Sequence, residues 1–257
     1  MGNDLLKICH GTKITLFRIF EEPNRLEMFP ALAQLFESVF DLFFPARCLH
    51  CNRGIGSPKA VLCLNCEINL PLTYSHLMHP SPLKKHLFAE LPLRRVFSLY
   101  VFEEGALIEA LLYQLKYAGN KTVGLFFGQR LAGLIHSSKV NYDGIIGVTL
   151  HPKRERKRGF NQVDIIGESA AKALSIPYYG AILKRVKHTP KLSQSKRDRS
   201  EILQDAFQIN PDFFLSKGHY LLIDDILTTG STLRACSKVM LEIAEVSLSI
   251  GTIVYRN

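Results

Sequence analysis

The sequence predicts an α/β protein in which helices cover both faces of a parallel sheet, preceded by a small metal-binding module. Beyond residue 90, apolar runs of strand length alternate with segments of helical period, the pattern of a parallel sheet. One continuous apolar run, Tyr220–Ile223, leads through two acids and a loop into a helix, as a buried parallel strand does. Two CxxC pairs stand ahead of the first strand and indicate a metal site.

The composition is that of an ordinary globular protein with an excess of positive charge. Of the 257 residues, 47% are hydrophobic and 21% are charged, which excludes wholesale disorder and fibrous repeats. The length suits one large domain, or a main domain with a small appendage. The formal net charge of +9 predicts a polyanionic partner, either a nucleic acid or a phosphorylated small molecule.

The sequence also gives an expectation about location. No stretch approaches the roughly 18 consecutive apolar residues that a membrane span needs. The first 23 residues carry scattered charges without an apolar block, and position six lacks the hydroxyl residue of a myristoylation signal. We therefore expect a cytoplasmic protein with no membrane span.

The N-terminal part divides into an extension and a module. Residues 1–25 show no sustained period and are predicted to form a loosely held extension. Leu26 to Phe44 has apolar residues at helical spacing and acids on the polar face, which favours packing in a core over binding at a membrane surface. With the CxxC pairs this helix makes a module of residues 26–75. A connector rich in Pro and His separates it from a main domain of residues 90–257.

Each element of the main domain follows from its period. Apolar runs bounded by turn residues predict strands, and apolar residues recurring every three to four positions predict helices. The predicted order is strand Phe97–Phe102, helices Ala106–Tyr117 and Lys121–His136, strand Gly144–Leu150, helix Asn161–Leu174, strands Ala181–Val186, Ala206–Ile209 and Tyr220–Ile223, helix Ser231–Ala244 and strand Val246–Tyr255.

The sharpest motif follows the strand Tyr220–Ile223. Asp224 and Asp225 stand at its C-terminal end, and small residues around Gly230 then open a helix whose first amides and dipole suit an anion. The hydroxyl groups that can add donors to the same anion belong to Thr228, Thr229, Ser231 and Thr232. A 5-phosphorylated ribose would use both the acids and the loop. The alternative is an acidic turn that merely caps a helix.

Two basic stretches face the same edge of the predicted sheet. Five of the six residues from Lys153 to Arg158 are basic, and they meet a pyrophosphate, form a solvated turn, or belong to a nucleic-acid patch. The second stretch, Lys184 to Arg199, carries seven basic residues and one acid. It is either a lid that excludes water from a reacting centre or a flexible surface loop.

The cysteine spacing predicts a structural metal site. Cys48 and Cys51 form one pair and Cys63 and Cys66 the other, with eleven residues between the pairs. Four thiolates satisfy a tetrahedral Zn²⁺ and leave no open position for catalysis. An iron–sulfur cluster and a redox dithiol are the rival interpretations. Cys236 is expected to pack in a helix.

These motifs together resemble known families. The segment from Tyr220 to Leu233 is similar to the phosphoribosyl pyrophosphate (PRPP) motif of type I phosphoribosyltransferases. From about Leu26 onward the chain resembles the ComF family, a competence-associated group of phosphoribosyltransferase-like proteins. The blocks that carry the resemblance are Cys48/Cys51/Cys63/Cys66, Leu115-Lys116-Tyr117, Arg158-Gly-Phe-Asn-Gln162, and Asp224-Asp225 with Thr228-Thr229-Gly230.

The resemblance implies a type I phosphoribosyltransferase fold with a zinc-ribbon-like module, and a PRPP site served by Mg²⁺. Asp224 and Asp225 would hold the ribose, and residues 228–232 the 5-phosphate. Lys153, Arg154 and Mg²⁺ would neutralise the pyrophosphate, and Lys116 would reach the same site. The flexible loop over residues 188–207 would contribute Lys196. The catalytic residues expected from the resemblance are Asp224, Asp225, Arg154 and Lys196.

The sequence also departs from the family pattern. Gly147-Val148-Thr149 stands where the family commonly has Pro-Val-Pro, and Leu192 stands where Gln is usual. Thr228 replaces the general-base aspartate of purine-salvage enzymes. The resemblance implies a role in natural transformation and DNA uptake, with single-stranded DNA and competence proteins as partners. The alternative is an active phosphoribosyltransferase of nucleotide metabolism without a DNA role.

Overall fold

The computed structural model describes residues 46–57, 60–150, 152–186, 206–243 and 245–257. The strands are β1 (Val96–Val101), β2 (Gly144–Gly147), β3 (Tyr178–Tyr179), β4 (Leu183–Arg185), β5 (Phe207–Ile209), β6 (Gly218–Leu227) and β7 (Val246–Tyr255). The helices are α1 (Leu64–Ile68), α2 (Pro82–Leu87), α3 (Leu107–Lys116), α4 (Lys121–Ser138), α5 (Pro152–Arg158), α6 (Gln162–Leu174) and α7 (Ser231–Leu241), with a 3-10 turn at Ser75–Leu77. The predicted extension 1–25 and the predicted helix from Leu26 to Phe44 lie outside the described residues.

Five strands form one parallel sheet in the order β1-β7-β6-β2-β3. β4 and β5 form a separate antiparallel hairpin. The predicted fold class, a parallel sheet flanked by helices, is therefore confirmed. Because the strands are parallel, the loops after β2 and β6 emerge at the same edge.

Each face of the sheet has its own core. Successive residues of a strand point to opposite faces, so Leu221 and Leu222, both fully buried, belong to different cores. One core joins α3, α4 and α6 to the cysteine segment, whose Cys48, Leu62 and Cys66 are buried in it. The other joins α2, α7 and the hairpin.

Two strand ends differ from the prediction in a way that matters for the site. β6 runs on to Leu227, so Asp224 and Asp225 lie within the strand and not beyond it. The reason is that β7 continues alongside and pairs Asp224 with Thr252. β2 ends at Gly147 instead of Leu150, and the chain leaves there toward α5.

Two segments predicted as irregular are folded. The basic stretch contains α5, as expected for Arg, Lys and Glu after a proline at the first helical position. The Pro- and His-rich connector contains the 3-10 turn and α2, which is capped by the Ser81 hydroxyl accepting from the Lys84 amide at 3.3 Å. Phe88, at the end of α2, is fully buried. The domain boundary in this region stays a prediction.

Among the described residues, none of the helices is both long and apolar enough to cross a membrane.

Candidate functional site

The centre of the candidate site is Asp225, a nearly buried carboxylate near the C-terminal end of β6. It is 6% exposed and is held from two helices. The Lys116 ammonium, at the end of α3, lies 2.7 Å from Oδ2 of Asp225. The Gln162 amide, at the start of α6, donates to the same oxygen at 2.6 Å. A buried carboxylate needs such partners, because an unpaired charge in the interior is costly.

Gln162 is itself held in place by the end of α5 and by the residues between α5 and α6. The Arg158 guanidinium donates to its amide oxygen and lies 5.8 Å from the centre of the Tyr117 ring. Asn161 caps α6 by accepting from the Val163 amide at 3.2 Å. The sequence analysis placed Arg158 in the basic stretch that could meet a pyrophosphate, but it gave Gln162 no role in the site. The signal for Gln162 was the Arg-Gly-Phe-Asn-Gln block, which served only for the resemblance.

Asp224 faces the other side of the sheet and has a different environment. It is half-buried, and its Oδ1 accepts a hydrogen bond from the Asp225 amide at 2.8 Å. Burial, together with the charge of Asp225, raises the pKa of Asp224 to about 7, against the opposing charges of Lys116 and Arg185. Asp224 therefore gains or loses its proton near neutral pH.

The loop between β6 and α7 has the geometry of an anion cradle. Gly230 takes a left-handed conformation (φ +71°) directly before α7. The hydroxyls of Thr229 and Ser231 lie 2.8 Å apart, and Thr228 is exposed to solvent. The amides of the first turn of a helix have no intrahelical acceptor, so Ser231 and Thr232 offer theirs to a ligand.

The residues at the end of α2 support this loop, a contact that the sequence did not predict. A Cβ added to Gly230 would lie 2.8 Å from the buried Phe88 ring. Arg234 of α7 reaches back, with Nε 2.5 Å from the Glu90 carboxylate and a further bond to the Leu87 carbonyl. The segment around α2 thus fixes the position of the loop.

Beside the acids lies a cavity of about 520 Å³ with a cationic lining. Its charged lining residues are Lys116 from α3 with Arg154 and Arg158 from α5, and Tyr117 and Phe160 add aromatic surface. Lys116 thus connects the cavity to Asp225, and Arg154 lines the same cavity, while Asp224, the next residue of β6, faces the other side of the sheet. Lys153 is exposed on α5 and is not among the residues that line the cavity, while Lys196 lies outside the described residues.

The four cysteines form a compact cluster. Their Sγ atoms all lie within 4.8 Å of one another, with Cys51 and Cys63 3.6 Å apart. Burial raises the pKa of Cys48, but hydrogen bonds from the backbone of Cys51, Cys63 and His50 outweigh it and lower that pKa to about 6. A set of four sulfur donors of this kind fits a soft divalent metal ion.

Comparison with known proteins shows several curated relatives, although no protein-family model matches the chain. It is 29% identical to "Competence protein F" of Haemophilus influenzae, over 77% of this chain and 92% of that protein. It is 26% identical to "DNA utilization protein YhgH" of Escherichia coli K12 over 76% and 83%, respectively. It is 25% identical to "Competence protein ComFC" of Bacillus subtilis over 73% and 70%.

Among solved structures, the chain is similar to adenine phosphoribosyltransferases. That of Trypanosoma brucei, in complex with AMP, pyrophosphate and ribose-5-phosphate, is 10% identical with a TM-score of 0.39, over 62% of this chain and 83% of that one. That of Leishmania tarentolae is 10% identical with a TM-score of 0.37, over 60% and 90%. The likeness concerns the fold alone.

Proposed function

We propose that this chain, as a member of the ComF family, binds PRPP with Mg²⁺ at the C-terminal edge of its sheet and serves in the use of DNA during natural transformation. The observation that carries the PRPP proposal is a juxtaposition. A phosphate cradle, two carboxylates and a cavity with three cations lie at one edge of the sheet. PRPP carries a phosphate, a pair of hydroxyls and a diphosphate, which these three features match in chemistry.

The 5-phosphate binds at the loop of residues 228–232. Free amides, hydroxyls and the positive end of α7 act together there, and an anion is stabilised without a buried counter-charge. Gly230 is needed because a side chain would meet Phe88 and the left-handed conformation would be strained.

The two acids have separate tasks. Asp224 accepts hydrogen bonds from the ribose hydroxyls as a carboxylate. Asp225, whose Oδ2 is already shared by Lys116 and Gln162, fixes the two helices that border the cavity. Gln162 is therefore a positioning residue for the site, whereas Lys116 both holds Asp225 and lines the cavity.

The diphosphate occupies the cationic cavity. Arg154 and Arg158 offer planar groups suited to phosphate oxygens, and Lys116 adds a compact charge. Mg²⁺ would arrive with the diphosphate, since it is usually held through substrate phosphates and one or two carboxylates. When bound, it neutralises the charge of the pyrophosphate group.

The proposed role in DNA use is supported by the names of the relatives and by the exposed positive charge of α5. Two of them are named competence proteins and one a DNA utilization protein. The exposed cations of α5, Lys153, Arg154 and Arg156, suit a polyanion larger than PRPP. We further propose that the four-cysteine cluster holds one structural Zn²⁺.

Calorimetric titration with PRPP and Mg²⁺ tests the proposal. The wild type should bind, and Asp224→Asn combined with Gly230→Ala should bind at least tenfold more weakly. Asp212→Asn is the matched control, because Asp212 is an exposed carboxylate on the loop between β5 and β6 that lies 3.8 Å from the exposed Lys184 and forms no part of the proposed site. Equal binding by all three proteins would refute the assignment of the site.

A further inference from the structure

A pair of exposed tyrosines continues the site outward from the cationic cavity. Tyr113 and Tyr117 lie four residues apart at the C-terminal end of α3 and are 60% and 69% exposed. Their ring centroids are 5.3 Å apart. Residues at this spacing lie on one side of a helix, so the two rings form a continuous aromatic surface.

Packing of α3 does not account for these rings. The helix buries its opposite side through aliphatic residues, namely Leu107, Ile108, Leu111, Leu112 and Leu115. Single exposed apolar residues are normal on a protein surface. Two adjacent exposed aromatic rings that border a basic cavity are a feature typical of ligand recognition.

The aromatic surface is continuous with positive charge. The Arg158 guanidinium lies 5.8 Å from the Tyr117 ring centre, so that two rings and a planar cation follow one another toward the cavity. Arg154 lines the cavity beyond. Lys153 and Arg156, which belong to the same short helix, are exposed.

A row of planar groups beside cations matches the chemistry of single-stranded nucleic acid. Unpaired bases stack on aromatic rings, while Lys and Arg contact the phosphates that link them. One base would need one ring, whereas two adjacent exposed rings, tilted by 41° to each other and beside several cations, suit two successive nucleotides of a strand.

We propose that Tyr113 and Tyr117 form a stacking platform for successive bases of a single strand, whose phosphates run along the cations of α5. This inference rests on the DNA role proposed above and gives it a location, but it does not depend on PRPP binding. The platform puts the strand at the mouth of the cavity.

Fluorescence anisotropy with a labelled oligo(dT) tests the platform. Tyr113→Ala should weaken binding on the order of tenfold, because stacking on one aromatic ring contributes about 1–3 kcal/mol per base. Tyr113→Phe should keep wild-type affinity, since it keeps the ring. Phe214→Ala removes an 87% exposed ring elsewhere and should change nothing.

Two further measurements distinguish base stacking from charge attraction: the salt dependence of binding, and binding to double-stranded DNA. Tyr113→Ala should leave the salt dependence of binding unchanged, whereas Arg154→Ala should reduce it. A duplex of the same sequence should bind without any effect of Tyr113→Ala, because its bases are not free to stack.

The outcomes distinguish the inference from the proposed function. If the wild type binds oligo(dT) and Tyr113→Ala binds equally well, the platform is wrong while the DNA role stands. If thymidine monophosphate, but not oligo(dT), shows the dependence on Tyr113, the surface is a mononucleotide site and the inference is overturned. If the wild type binds neither, direct DNA binding fails with it. Tyr113 does not line the cavity, so Tyr113→Ala should bind PRPP as the wild type does. This titration tests the proposed PRPP binding separately from the stacking platform.

Discussion

At the scale of single residues, the site depends on the different surroundings of two neighbouring carboxylates. Consecutive residues of β6 point to opposite sides of the sheet. Asp225 therefore contacts Lys116 and Gln162, whereas Asp224 is on the other side, where the charge of Arg185 acts on it. One acid is neutralised by partners and the other is left to titrate. The sequence predicted both acids as a pair with one task, because a pattern of residues does not reveal which side chain finds which partner.

The raised pKa of Asp224 predicts a pH-dependent effect of Asp224→Asn on stability. The pKa is about 7 in the folded state and 3.8 in the reference state, so ionisation opposes folding. Below pH 3.8 the carboxyl is protonated in both states and the substitution should be neutral. Between pH 4 and 7 its stabilising effect should grow by about 1.4 kcal/mol per pH unit and then level off. Urea unfolding from pH 4 to 8 measures this, and a pH-independent effect would contradict it.

The Lys116–Asp225 pair predicts strong coupling between the two residues. Lys116→Met should destabilise the protein by roughly 3 kcal/mol, because it leaves a buried carboxylate without its cation. Lys116→Met combined with Asp225→Asn should recover part of that loss. A double-mutant cycle measured by denaturant unfolding checks the coupling, and simple additivity would mean that the ion pair contributes nothing.

At the scale of elements, the phosphate loop is defined by what lies beneath it. The sequence predicted its residues, its glycine and the helix that follows. It did not predict that α2 and Phe88 support it, because contacts between segments far apart in sequence leave no local period. The helix α5 differs from the prediction for another reason: its residues after Pro152 are good helix formers, but they are all charged and so show no apolar period.

Gly230→Ala should destabilise the protein by about 1–3 kcal/mol, through strain at positive φ and the close approach of Phe88. Gly133→Ala is the matched control, because Gly133 sits within α4 and its added Cβ would meet none of the described residues within 4 Å beyond the backbone of its own helix and its chain neighbours. That control should stabilise by up to about 1 kcal/mol. Thermal unfolding of both variants checks the pair, and equal effects would contradict the account of the loop.

The cysteine module should lose its metal with Cys63→Ser. The wild type should contain one zinc per chain by elemental analysis, and Cys63→Ser should contain none and unfold at a lower temperature, since Cys48 and Cys66 share a core with the sheet. Cys236→Ser, at a buried cysteine of α7 outside the cluster, should keep the metal. Iron, or no metal in the wild type, would exclude zinc.

At the scale of the whole molecule, the fold class could be predicted because alternating periods report directly on a parallel sheet. Strand β7 has the bounds expected, and most other elements differ by only a few residues. The short strand β3 and the pairing of β4 with β5 were not predicted, since a two-residue strand has no period and pairing is decided by tertiary contacts. The edge that gathers the phosphate loop, the acids and the basic helix follows from strand direction alone.

The central claim is that one edge of this sheet binds the three parts of PRPP. A crystal structure of the chain with PRPP and Mg²⁺ tests it most directly. We expect the 5-phosphate against the amides of residues 229–232, the ribose hydroxyls at Asp224, and the diphosphate beside Arg154 and Arg158. Electron density for PRPP at another place, or none at saturating ligand, would contradict the account.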